Sequence, residues 1–123
     1  PFCRQTYPWD NVDEVDKDGR IRQRYKNMIK LRNSSKAFSI GDFECVHKVG
    51  HVYGFVRCYH DEKYLIVANL GTREERARVD VARYGMRKLK CQTSDDNSLL
   101  ESSDGIHFID MPRLWIKVYK VEK

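Results

Sequence analysis

GRIRQRYKNMIKLRNSSKAFSIGDF, residues 19–43, is the stretch that decides the plan of this chain. From Gly19 to Asn33, Ile21, Tyr25, Met28, Ile29 and Arg32 fall at i, i+4, i+7, i+8 and i+11, and Leu31 widens the apolar stripe. That spacing predicts an amphipathic helix with one buried face. Arg20, Arg22, Arg24, Lys26, Asn27 and Lys30 occupy most of the remaining surface. The cluster Asn33-Ser34-Ser35 ends the helix, and Gly41-Asp42 turns the chain into strands. A helix of about 15 residues is marginal alone in water, so its stripe needs a partner surface. Three fates are expected for it: packing on the strands that follow, pairing with a second copy as a homodimer, or poor order. A membrane surface fits less well, because the stripe lacks Trp and Phe and strands follow at once.

Upstream, residues 1–18 (PFCRQTYPWDNVDEVDKD) have no regular period, and Pro8 disfavours helix at Tyr7. Asp10, Asp13, Glu14, Asp16 and Asp18 read as a solvated loop. Asp16 or Asp18 is placed to cap the helix, where a carboxylate accepts free backbone N–H groups.

Downstream, the period changes to two. Phe43–Val49 and His51–Tyr59 read as strands joined at Gly50. In the second, Tyr53, Phe55 and Tyr59 share one face, and Val52, Val56 and Cys58 the other. Lys63–Leu70 (KYLIVANL) is apolar on both faces, as a central strand is. Arg76–Val81 alternates, with Ala77, Val79 and Val81 inward. Arg83-Tyr84-Gly85 turns, Met86–Thr93 is a weaker strand, and Leu99-Leu100 pair with an edge in an otherwise polar loop. Gly105–Met111 and Leu114–Val121 close the chain. Short strands at this spacing predict an antiparallel β-sandwich.

Composition sets bounds. The 123 residues fit one globular unit, with 41% apolar and 11% aromatic residues. The chain starts at Pro1 and reads as a fragment or processed product. No window approaches the roughly 18 uninterrupted apolar residues of a membrane span, so no membrane partner is expected. The net charge of +5 is scattered and mixed in sign, which reads as a solvated surface, with nucleic acid not expected as a partner. Cys3, Cys45, Cys58 and Cys91 form no C-x-x-C and no zinc-finger spacing. They read as reduced thiols, which fits a cytoplasmic location; an extracellular one would need a leader upstream. His47 and His51 flank a turn, but two histidines make a poor metal site. His60 and His107 have no evident partner. No nucleophile elbow, phosphate loop or dinucleotide motif occurs. No metal or cofactor is expected. Trp115 and Tyr119 share strand parity. With Tyr53 they are the candidate platform for stacking sugars, against the alternative that such aromatics are core.

The two ends of the opening stretch carry a resemblance. PFCRQTYPWD resembles the D-P-x-C-R-x-x-x-x-W segment of the α-amylase family of glycoside hydrolases, and within it the neopullulanase, cyclomaltodextrinase and maltogenic amylase branch. The run R-x-x-Y-K-N-M-I-K-L-R-N-S-S-K-A-F-x-x-G-D-F is similar to that family's helix with Y-K-x-L-I-x-L-R followed by G-D-F/Y. YGFVR and KYLIVANL resemble the opening strands of its C-terminal domain. The likeness implies that residues 1–38 are the last loop and helix of a (β/α)8 barrel, and residues 39–123 an antiparallel Greek-key β-sandwich. It implies that the catalytic Asp, Glu and second Asp lie ahead of Pro1, so no catalytic residue is expected in this chain. The parent would cleave α-1,4 or α-1,6 glucosidic bonds in maltooligosaccharides, cyclodextrins or starch-type glucans, and the sandwich would stabilise its barrel. The expected partners are therefore the catalytic barrel of the same parent chain and, through it, an α-glucan. Arg4 matches the Arg that helps hold a glucose unit at a donor-side subsite, while Trp9 matches a Trp of structural role. The chain departs from the family pattern at Gln5-Thr6-Tyr7 and Ser34-Ser35-Lys36. Two alternatives stay open: a carbohydrate-binding module using exposed aromatics, and a basic β domain that binds nucleic acid.

Overall fold

The computed structural model describes residues 19–93 and 98–122. Arg4, Trp9, Cys3 and the acidic run that includes Asp16 and Asp18 lie outside the described residues. Helix α1 spans Arg20–Asn33, and a single turn, α2, spans Ala37–Ile40. Eight strands follow: β1 Asp42–Val49, β2 Val52–Tyr59, β3 Glu62–Asn69, β4 Glu75–Asp80, β5 Lys88–Cys91, β6 Leu99–Glu101, β7 Ile106–Met111 and β8 Trp115–Val121. A 3-10 turn at Ala82–Tyr84 joins β4 to the segment before β5.

The strands form two sheets. One runs β1-β2-β3-β8-β5-β6, the other is the pair β4-β7, and every pairing is antiparallel. After β3 the chain crosses to β4, returns to the large sheet as β5 and β6, crosses again to β7, and comes back as β8 between β3 and β5, crossovers of the Greek-key kind. Alternation dictates what the layers enclose. Val52, Val56, Leu65, Val67, Ala77, Val79, Leu89, Ile109, Met111 and Tyr119 are buried together between the sheets. The opposite face of β3 and β8 contributes Tyr64, Ile66 and Val118 to a second cluster with Ala37. The apolar-on-both-faces reading of KYLIVANL is therefore the observed one.

Two expectations need correction here. The stripe of α1 is not a buried face: no residue of the helix is buried, and Ile21, Tyr25 and Ile29 are 53%, 68% and 56% exposed. The sheet surface beneath is already shared with Ala37 and Phe38, so only the Met28 and Leu31 edge of the helix reaches the second cluster. His107, expected to have no partner, is 3% exposed, and its Nε2 lies 2.7 Å from the Met86 carbonyl oxygen. It thereby links β7 to the segment entering β5.

The helix is fixed to the sheet at its exit. Ser35 Oγ donates to Glu62 Oε2 at 2.7 Å and accepts from the Ala37 N–H at 3.1 Å. A bond to a carboxylate in this half-buried place contributes about 1.5–3 kcal/mol. Gly41 then turns the chain into β1. A Cβ at Gly41 would stand 2.7 Å from the Cys58 carbonyl oxygen and against the Ala37 carbonyl. Both obstacles are backbone, so neither can rotate away. Gly41→Ala is expected to destabilise the chain by about 1–3 kcal/mol through overpacking. Urea unfolding followed by Trp fluorescence checks this, and an unchanged midpoint would show that the α2–β1 corner has slack.

Candidate docking face

The three candidate platform aromatics are not brought together. Tyr119 is 2% exposed, packed between the sheets and paired across from Leu65 and Cys91. Its expected place on an open face is corrected: β8 is covered on both faces at Val118 and Tyr119 and open only at its start, so strand parity could not mark an exposed side. Tyr53 is half-buried on β2, in register with Ala68, which pairs with Ile116. Trp115 pairs with Asn69 one row away. It is 36% exposed, and the Arg24 guanidinium stands 4.5 Å over its ring. Such a cation–π contact contributes about 0.5–1 kcal/mol at an exposed site, and it occupies one face a sugar would stack on.

What the fold builds instead is an apolar face around α1. Phe38 and Tyr64 lie with ring centres 4.3 Å apart, and Phe43 and Phe55 4.9 Å apart. One groove of about 350 Å³ runs between Tyr25, Ile29 and Leu31 on the helix and Phe55, Ile66 and Val118 on the sheet. A second, about 310 Å³, lies between Arg24 and Met28 on the helix and Leu70, Leu114, Trp115 and Ile116 on the strand ends. Arg20, Arg22, Arg24, Lys26, Lys30 and Arg32 make α1 wholly cationic, with no acidic residue. The face is thus apolar in its grooves and positive along its ridge.

The strand-end part of this face is held by one amide that sequence reading did not single out. Asn69 ends β3 and is fully buried. Its Oδ1 accepts from the Gly71 N–H at 2.9 Å. Its Nδ2 donates to the carbonyls of Arg73, Met111 and Pro112 at 2.9, 3.1 and 3.2 Å, so one of its two hydrogens is shared. Leu114 N–H donates to Gly71 O at 3.1 Å, and Leu70 N–H to His51 O at 2.9 Å. Leu114 itself is left-handed, φ 49, which costs a non-glycine residue about 1–2 kcal/mol. The only sequence signal was an Asn before Leu-Gly at a strand end, a common turn former.

Other reactive groups stand apart from this face. Cys58 is half-buried, and burial pushes its thiol above the usual range, with Lys63 pulling it down and Asp42 up. Asp104 is held below the usual carboxylate range by the Ser102 hydroxyl and the Ile106 N–H in an exposed turn. His47 stands over Gly54 and His51 over Gly71. Among the described residues no three His, Cys, Asp or Glu side chains converge as a metal site, and no helix is long and apolar enough to cross a membrane.

No protein-family profile matches the chain. It is similar to a cyclomaltodextrinase of Thermoanaerobacter pseudethanolicus, 27% identical over 75 residues, which are 61% of this chain and 12% of that protein. It is similar to an amylopullulanase of Thermoanaerobacterium thermosulfurigenes, 22% identical over 93% of this chain and 6% of that protein. The chain thus spans about an eighth or less of the curated relatives it matches. Among solved structures, an α-amylase of Geobacillus thermoleovorans complexed with acarbose superposes with a TM-score of 0.76 and 21% identity, over 86% of this chain and 24% of that one. An Anoxybacillus α-amylase gives a TM-score of 0.71 and 21% identity, over 80% and 22%. The fold is a small antiparallel β domain shared with α-amylases, and the relatives are amylase-type glycoside hydrolases.

Asn69→Ala is expected to cost about 2–3 kcal/mol, since it strands several buried backbone groups. Asn69→Asp should be worse at neutral pH, because a carboxylate would face three carbonyl oxygens, and should recover as acid protonates it. Urea midpoints at pH 7 and pH 5 check both. A midpoint unaffected by either change would mean that the two turns hold themselves.

Proposed function

We propose that the chain is the non-catalytic C-terminal domain of a larger glycoside hydrolase of the α-amylase type. Its task is to pack against the catalytic part and stabilise it. The carrying observation is the β fold shared with α-amylases, in a chain that spans only 22–24% of those chains. The apolar face around α1 supports the same reading, because Tyr25 and Ile29 are 68% and 56% exposed on a helix that touches the sheet along one edge. A catalytic barrel belonging to the same polypeptide is the surface that would cover them.

In this reading the parent cleaves α-1,4 or α-1,6 glucosidic bonds by the retaining route, in which one carboxylate attacks the sugar and a second acts as acid and base. Those carboxylates belong to the part outside this chain. Arg4 would lie beside the sugar and donate paired hydrogen bonds to its hydroxyls. The sandwich takes no chemical step.

The purified 123-residue chain is expected to release no reducing sugar from maltotriose or cyclodextrin above a protein-free blank. The longer protein should do so, and should lose that activity at lower temperature once residues 39–123 are deleted. Hydrolysis by the short chain alone would refute the non-catalytic role.

A further inference from the structure

We infer that Leu70, Leu114, Trp115 and Ile116 form a preformed apolar knuckle that inserts into a socket on the larger protein, an inference that rests on the domain reading above. Leu70 and Leu114 are each 64% exposed, and Trp115 and Ile116 beside them 36% and 39%. Four large apolar side chains therefore stand together at one end of the sheet. Soluble surfaces tolerate single exposed leucines, but grouped ones mark contact sites.

The knuckle is also held in place. Asn69 commits both ends of its amide to the two turns that carry Leu70 and Leu114. Leu114 adopts a left-handed backbone that glycine would take without strain. Strain kept at an exposed leucine, and braced by a buried amide, meets the cost of ordering a contact surface before it binds.

The occupant is the remainder of the longer chain. The groove behind the knuckle is lined by Arg24 and Met28, so it continues the helix face that the catalytic part would cover in the reading above. The relatives extend far beyond the matched segment, which is 12% and 6% of their lengths. Charge argues against a second copy. Arg24 lines the groove and Arg73 and Arg113 sit in the two turns, with Glu74 the opposing charge there, so two copies would meet positive rim to positive rim. The same rim fits an apolar socket edged by carboxylates.

Hydroxyl-radical footprinting of the isolated chain and of the full-length protein tests this. Leu70, Leu114 and Trp115 should label readily in the first and be protected several-fold in the second. Leu99 and Phe108, each 54% exposed elsewhere, should label in both. The double variant Leu70→Ser with Leu114→Ser should leave the melting of the isolated chain unchanged, yet speed heat inactivation of the full-length protein. Equal labelling of Leu70 and Leu114 in the two proteins would overturn the inference. So would protection that appears in the isolated chain at high concentration and disappears on dilution, which would assign the knuckle to a second copy. A protected knuckle in a full-length protein that cleaves no α-glucan would uphold the docking and sink the enzymatic reading instead.

Discussion

Tyr64, Leu65, Ile66 and Val67 are four consecutive buried residues, and the rest of the molecule is arranged to keep them so. Alternate side chains of a strand point to opposite faces, so such a run demands cover on both sides. Leu65 and Val67 obtain it from the β4–β7 pair. Tyr64 and Ile66 obtain it from Ala37 and Phe38, with the Met28–Leu31 edge of α1 above. This explains why a β domain begins with a helical segment. The segment that exits α1 completes the second face of the central strand, and Ser35 ties it to Glu62 at that strand's start.

The strands were legible because their physics is local. Alternation of apolar and polar residues placed β1 to β4, β7 and β8 to within a residue or two, and turn formers placed the gaps. The helix was legible for the same reason, but its environment was not. A 3.6-residue period says that one face is apolar; it does not say what covers that face. Ile21, Tyr25 and Ile29 consequently carried a mark of burial that this chain fulfils only at Met28 and Leu31. Parity failed for Trp115 and Tyr119 because exposure changes along β8: Trp115 stands open at the start of the strand, while Tyr119 in its middle is buried between the sheets.

Asn69 and His107 were missed for a different reason. Their partners are backbone carbonyls far along the chain: Met111 and Pro112 for Asn69, Met86 for His107. A carbonyl belongs to every residue alike, so nothing in the sequence marks the one that will be met. The comparisons reach the same fold at 21% identity, which fits a scaffold set by alternation and a few buried pins rather than by many fixed side chains. The resemblance read from residues 1–70 pointed to the same enzymes. Arg4, the one sugar-binding residue it named, lies outside the described residues.

The attachment of α1 gives the molecule two levels of permanence. The sandwich closes its own core between the two sheets. The helix is held by Met28, Leu31, the Arg24–Trp115 contact and the Ser35 bond, none of which lies in that core. These contacts lie outside the sandwich core, so the amides of α1 should exchange with solvent through a smaller opening than those of β3. Such a segment is a separate cooperative unit, and its residence on the sheet becomes a variable that any neighbouring surface can set.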